Sequence, residues 1–277
     1  MNKILVVEDD RTTLYVLQSL LDGAGYSTRV AMDGVEALKL LGAETFDLLL
    51  LDVWMPRMNG LELLGKLRSK RRKPRVIVMT SDDTPDTLLK AVREQAFTYV
   101  QKPADSDALL TAVRDALETT DVPPIEVISA RPEWLELTVP CTREAAERIQ
   151  PVVARLDAAL APEVREATAY AFRELLLNAI EWGGRLDPQR KVRIACLRSR
   201  RMVLYRIADP GPGFNIDNLP HAAIGQSPDE PIAHMQVREE KGIRPGGFGL
   251  LMTRTLVDEL IYNEAHNEVV FVKYLDC

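Results

Sequence analysis

Over the first 118 positions, short apolar runs alternate with longer amphipathic stretches. The runs fall at Lys3–Val7, Ser27–Ala31, Asp47–Leu51, Arg75–Met79 and Phe97–Gln101. They are rich in Val, Ile and Leu, as strands buried on both faces are. The stretches between them place apolar residues at helical spacing: Leu14, Leu17 and Leu21 in the first, Leu109 or Leu110, Val113 and Leu117 in the last. Strand and helix in strict alternation predict an α/β fold, a doubly wound five-stranded parallel sheet with right-handed crossovers.

The pattern changes after Thr119. Val122-Pro123-Pro124 and Arg131-Pro132 cannot continue a helix, so 119–132 is read as a linker between domains at 1–118 and 133–277. The second half predicts a strand at Trp134–Val139 and helices from Thr142 to about Leu160 and from Pro162 to Glu181. A hairpin of Lys191–Arg198 and Met202–Ala208 follows, then a polar stretch from Asn215 to Pro245. A helix at Leu250–Leu260 and a closing hairpin of Ile261–Glu264 with Glu268–Tyr274 complete it. Helices mixed with antiparallel strands imply an α+β sandwich.

Composition narrows the function classes. Hydrophobic residues are 46% and charged residues 27% of the 277, a globular balance, and net charge is −6. Basic residues do not exceed acidic ones in either half, so neither nucleic acid nor an anionic membrane is an expected partner. Cys141, Cys196 and Cys277 are an odd, scattered set that fits free thiols in a reducing compartment. No signal-peptide shape or spanning apolar run is visible, and the expected localisation is cytoplasmic.

In a doubly wound sheet, functional groups collect beyond the carboxyl ends of the strands. Asp9 and Asp10 follow strand one, Asp52 strand three, Thr80 strand four and Lys102 strand five. Carboxylates crowded together repel unless a cation joins them, and Mg2+ is a hard ion suited to oxygen ligands. A carboxylate in that setting can attack a phosphoryl donor, with Thr80 and Lys102 placed to contact the product. At these residues, with Asp52-Val53-Trp54-Met55-Pro56 followed by Gly60 and with Tyr99 before Lys102, the sequence resembles a response-regulator receiver domain. The resemblance implies that Asp9, Asp10 and Asp52 hold Mg2+, and that Asp52 is phosphorylated by an upstream sensor histidine kinase. It also makes Tyr99 an aromatic switch residue. Gln95-Ala96 departs from the small pair common at that point in the family.

Glu174 and Asn178 share one face of a predicted helix. Asp209-Pro210-Gly211-Pro212-Gly213 follows a strand directly, and an aspartate there can accept from an exocyclic amine such as that of adenine. Gly246-Gly247-Phe248-Gly249-Leu250 opens a helix whose first N–H groups suit phosphate. Together these resemble the GHKL-type ATPase fold of sensor kinases, type II topoisomerases and Hsp90-class chaperones. The resemblance implies ATP with Mg2+ on Asn178, Glu174 as base, Asp209 on adenine, and Gly211, Gly213, Gly247 and Gly249 shaping the nucleotide loops. Residues 215–245 correspond to the lid. Trp182 stands where the family often has His or Tyr.

The only histidines, His221, His234 and His266, all lie after Asp209, so no phosphoacceptor histidine precedes the second domain. The strand and two helices before Asn178 resemble the anti-sigma-factor serine kinases of partner-switching systems. That branch implies transfer to serine or threonine of an antagonist protein, a sigma factor as alternative partner, and a homodimer. A non-catalytic ATP-binding switch that sequesters a partner is the rival expectation.

Overall fold

The structure, a computed structural model, describes residues 2–67, 73–82, 84–118, 123–131, 133–213 and 248–275. The chain divides into two compact units, Met1–Asp121 and Val122–Cys277. Gly247, residues 215–245 and Cys277 lie outside the described residues.

The first unit runs β1 (Lys3–Val7), α1 (Arg11–Gly23), β2 (Ser27–Ala31), α2 (Gly34–Ala43), β3 (Leu48–Asp52), α3 (Gly60–Leu67), β4 (Arg75–Thr80), α4 (Pro85–Arg93), β5 (Thr98–Gln101) and α5 (Ser106–Glu118). All strands are parallel, in the order β2-β1-β3-β4-β5. The period of two along each strand divides the core. Leu5, Val7, Leu49, Leu51, Val76 and Val78 pack with Ala37, Leu63, Leu64 and Leu67. Ile4, Val6, Leu48, Leu50, Ile77 and Met79 pack with Leu17, Leu21, Leu109 and Val113 on the other face. Both faces are covered, which is why the strands read as unbroken apolar runs.

The second unit runs β6 (Glu126–Arg131), β7 (Trp134–Pro140), α6 (Arg143–Leu156), α7 (Pro162–Asn178), a π-helical turn (Ala179–Gly183), β8 (Lys191–Arg198), β9 (Met202–Ala208), α8 (Gly249–Leu256), β10 (Glu259–Tyr262) and β11 (Glu268–Tyr274). Its strands are antiparallel in the order β10-β11-β9-β8-β7-β6. Leu137, Ile194, Tyr205 and Phe271 are fully buried on the face toward α6 and α7. The Tyr205 ring sits 5.4 Å from Phe172 and 5.0 Å from Phe271, an aromatic contact that fixes α7 against the sheet centre.

Several boundaries differ from the sequence reading, among them the end of α6 at Leu156 rather than about Leu160 and the end of α7 at Asn178 rather than Glu181. Glu126–Arg131, assigned to the 119–132 linker, is a strand paired with β7. The Pro123-Pro124 pair stops a helix but does not prevent an edge strand from starting two residues later. The last helix ends at Leu256 rather than Leu260, because Val257 turns extended and Glu259 already pairs with Val272. The first strand of the closing hairpin is therefore Glu259–Tyr262, not Ile261–Glu264. Among the described residues no helix is long and apolar enough to cross a membrane.

Candidate functional site

The ends of β1, β3, β4 and β5 release side chains onto a common rim. Glu8 leaves β1 almost wholly buried, and Asp52, the last residue of β3, is 4% exposed. Oxygens of Glu8, Asp9 and Asp52 all lie within 4.8 Å of one another. Lys102, just past β5, bridges them: its Nζ donates to Glu8 Oε2 at 2.6 Å and lies 3.0 Å from Asp52 Oδ2. Burial raises the Glu8 carboxyl above the ordinary glutamate range despite the opposing Lys102 hydrogen bond. Burial also works against the Lys102 ammonium, but its bonds to Glu8 and Asp52 outweigh that and raise it.

Asp10 does not join this cluster. Its extended backbone places it at the N-cap of α1, where Oδ1 accepts the Thr13 N–H at 2.7 Å, and that bond lowers its pKa. The expected acidic pair Asp9-Asp10 is therefore replaced by Glu8-Asp9. β1 ends at Val7, as the sequence reading had it, so Glu8 is the first residue past the sheet and Asp10 serves the helix. The signal was present, since Glu8 directly follows the last apolar residue of β1.

Thr80 ends β4 fully buried, and its Oγ1 accepts the Asp82 N–H at 3.0 Å. The Lys102 N–H donates to Thr80 O at 2.9 Å, which ties the ends of β4 and β5 together. The loop after Asp52 folds back on it. Gly60 donates to Val53 O at 2.9 Å, and a Cβ at Gly60 would lie 2.1 Å from Asp52 O. Tyr99 is half-buried, and burial raises its hydroxyl pKa.

In the second unit α7 carries Glu174 and Asn178, both half-buried. A Cβ at Gly249 would lie 2.0 Å from Glu174 Oε2, so the carboxylate rests on the first turn of α8. Directly after Asn178 the helix widens into the π-helical turn, a local irregularity that recurs at functional sites. That turn brings Gly183 against Asp209, where a Cβ would lie 2.1 Å from Asp209 Cγ. Asp209 follows β9, and its Oδ1 accepts the Gly211 N–H at 2.7 Å. Burial raises its carboxyl, with Gly211 and Arg190 opposing. Gly211 has Gly183 Cα 2.9 Å from its own Cβ position, and Gly213 adopts φ 87°, a left-handed conformation natural to glycine. The structure thus joins Glu174 to Gly249, and the turn after Asn178 to Asp209 and Gly211. Gly183 was not singled out by sequence reasoning, because its role depends on a partner 26 residues away.

Residues 4–114 match the family model of the response regulator receiver domain, and residues 138–273 match that of the histidine kinase-like ATPase domain. The chain is a receiver domain followed by a histidine kinase-like ATPase domain. Among curated relatives, the transcriptional regulatory protein ZraR of Klebsiella oxytoca is 37% identical over 117 residues, 42% of this chain and 26% of that protein. The response regulator MprA of Mycobacterium avium (strain 104) is 37% identical over 143 residues, 51% of this chain and 62% of that protein. This chain therefore spans less than two thirds of the curated relatives it matches. A CheY-like receiver structure from Methanospirillum hungatei JF-1 is 29% identical, covering 43% of this chain and 94% of that one, with a TM-score of 0.42.

Proposed function

We propose that this protein is a response regulator whose output is ATP-dependent: Asp52 accepts a phosphoryl group from a sensor histidine kinase, and the ATPase domain transfers the γ-phosphoryl of ATP to a serine or threonine of a partner protein. The receiver half of this reading is carried by the Lys102 bridge between Glu8 and Asp52, 2.6 and 3.0 Å long. The all-oxygen set of Glu8, Asp9 and Asp52 fits a hard dication, and these three residues would hold Mg2+. Bound there, the ion would offset charge on the phosphoryl oxygens. Asp52 is the nucleophile: a carboxylate oxygen forms the new bond to phosphorus, and the bond to the donor's leaving group breaks. Lys102 neutralises one product oxygen, and Thr80 reaches another by giving up its Asp82 contact.

In the ATPase domain, Asp209 accepts from the adenine amine, while Gly211, Gly213, Gly249 and, outside the described residues, Gly247 shape the phosphate path. Asn178 would supply a side-chain oxygen to Mg2+. Glu174 takes the proton of the acceptor hydroxyl as its oxygen bonds the γ-phosphorus and the β–γ bridge breaks to release ADP. A partner-switching antagonist protein or a sigma factor suits this chemistry, and the same resemblance suggests a homodimer. What favours serine or threonine over histidine as acceptor is the order of the chain, since all three histidines follow Asp209.

Two measurements test this. Intact mass after incubation with a small phosphodonor and Mg2+ should rise by one phosphoryl group in the wild type and not in Asp52→Asn. Radiolabelled ATP should then label the candidate partner with the wild type and far less with Glu174→Gln. Nucleotide binding with no label on any partner would favour the sequestering switch.

A further inference from the structure

The turn between β10 and β11 closes onto the Asp209 loop from outside any motif noted so far. The Asp209 N–H donates to Asn267 O at 2.8 Å, and Asn267 Nδ2 donates to Gly211 O at 2.9 Å. One asparagine therefore grips the loop at both ends of its Asp209–Gly211 segment. Gly213 lies against the same turn, its Cβ position 1.6 Å from Ala265 O. The turn is itself braced. Asn263 Oδ1 accepts the N–H groups of Asn267 and Glu268, each at 3.1 Å, and Asn263 Nδ2 donates to Asn267 Oδ1 at 2.8 Å. That bond takes the amide oxygen of Asn267 and leaves its NH2 facing Gly211.

The consequence reaches Asp209 through one residue. Gly211 N–H holds Asp209 Oδ1 at 2.7 Å, Gly211 O is held by the Asn267 side chain, and the Asp209 N–H is held by Asn267 O, so Asn267 anchors both the aspartate backbone and the residue that orients its carboxylate. On its other side the carboxylate rests on Gly183, where no side chain fits. An acceptor for a single exocyclic amine must be aimed, because a hydrogen bond weakens steeply when bent. We propose that Asn267 is a positioning residue that aims Asp209 at the amine of an adenine base, and so sets the preference for adenine over guanine. The proposal rests on the reading of Asp209 as the base-binding aspartate.

The test uses the full chain, calorimetry with Mg-ADP and Mg-GDP, and three variants: Asn267→Asp, Asn267→Ala and Asn263→Ala. Asn267→Asp keeps the shape and the bond from Asn263 but loses the donor to Gly211 O. It should lower ADP affinity by about tenfold, as expected for one lost hydrogen bond, and leave weak GDP binding unchanged. Asn263→Ala, which touches only the brace, should move the ADP-to-GDP ratio the same way by a smaller factor. Combined with Asp209→Asn, which removes the aimed group, Asn267→Asp should add little further loss. A purely structural role would lower the thermal midpoint and leave the ADP-to-GDP ratio where it was. That result in folded Asn267→Asp and Asn263→Ala overturns the proposal. Absence of any ADP affinity in the wild type overturns the nucleotide reading of Asp209 itself, and the aiming role with it.

Discussion

Lys102 holds two buried carboxylates at once, and its loss would leave Glu8 and Asp52 facing each other without a cation. We expect Lys102→Ala to destabilise the receiver by about 1–3 kcal/mol near neutral pH, the range for leaving a buried partner unsatisfied. The pH dependence has a definite sign. The folded Glu8 pKa is already raised, so its contribution to stability is present below the unfolded value and is lost as pH rises through the folded one. Removing Lys102 raises that pKa further, so denaturant titrations of the two proteins should diverge as pH rises and converge in acid. Gly60 offers a steric counterpart, since a Cβ there would lie 2.1 Å from a backbone oxygen of Asp52. Backbone cannot rotate aside as a side chain can. Gly60→Ala should cost about 1–3 kcal/mol by thermal denaturation and should slow phosphate uptake by displacing Asp52.

The α6–α7 layer carries a buried polar cluster that the proposed chemistry does not use. Asp157, the C-cap of α6, accepts Tyr205 OH at 2.8 Å and Thr168 Oγ1 at 3.2 Å, with Arg198 at 3.4 Å. These contacts join α6, α7, β8 and β9. Burial raises the Asp157 carboxyl despite all three partners, and it pushes the neighbouring Cys196 thiol up to about 12. The stability contributed by Asp157 is therefore greatest in acid and declines as pH rises through its raised folded pKa. Stability relative to Asp157→Asn should fall with rising pH across that window, measured by urea unfolding of both proteins. Tyr205→Phe should cost about 1–3 kcal/mol at neutral pH, because it leaves the Asp157 charge with one donor fewer. At the other end of this layer, α8 begins against Glu174. Gly249→Ala would push the carboxylate aside, a flexible group that can move, so the fold should survive. Phosphoryl transfer should drop in that variant by a larger factor than nucleotide affinity does, measured by a labelling assay beside calorimetry.

At the scale of the whole molecule, a receiver in front of a histidine kinase-like ATPase domain makes Asp52 phosphorylation a candidate control of the second domain. Labelling rates with wild type and Asp52→Asn, each with and without phosphodonor, should differ only for the wild type; equal rates throughout would separate the two activities. The two-domain plan was legible in the sequence because periodicity is local. Short apolar runs marked all five strands of the parallel sheet, and the β8–β9 hairpin fell at its residues. Asp52, Thr80, Lys102 and Asp209 were legible too, since each immediately follows or ends a strand, and strand ends define the rim of a sheet. The rest depended on neighbours distant in sequence. Whether Glu8 or Asp10 enters the acidic cluster was decided by α1 taking Asp10 as its cap and by Lys102 reaching Glu8. β6 shows little alternation of its own and exists because β7 offers an edge. Gly183 and Asn267 matter because folding sets each against Asp209, one from the turn after α7 and the other from a hairpin near the chain's end. Sequence determined which groups could do chemistry, because residue type and strand-end position are local properties. Tertiary structure alone decided which of them are held and aimed, because hydrogen bonds and steric exclusion act across space and not along the chain.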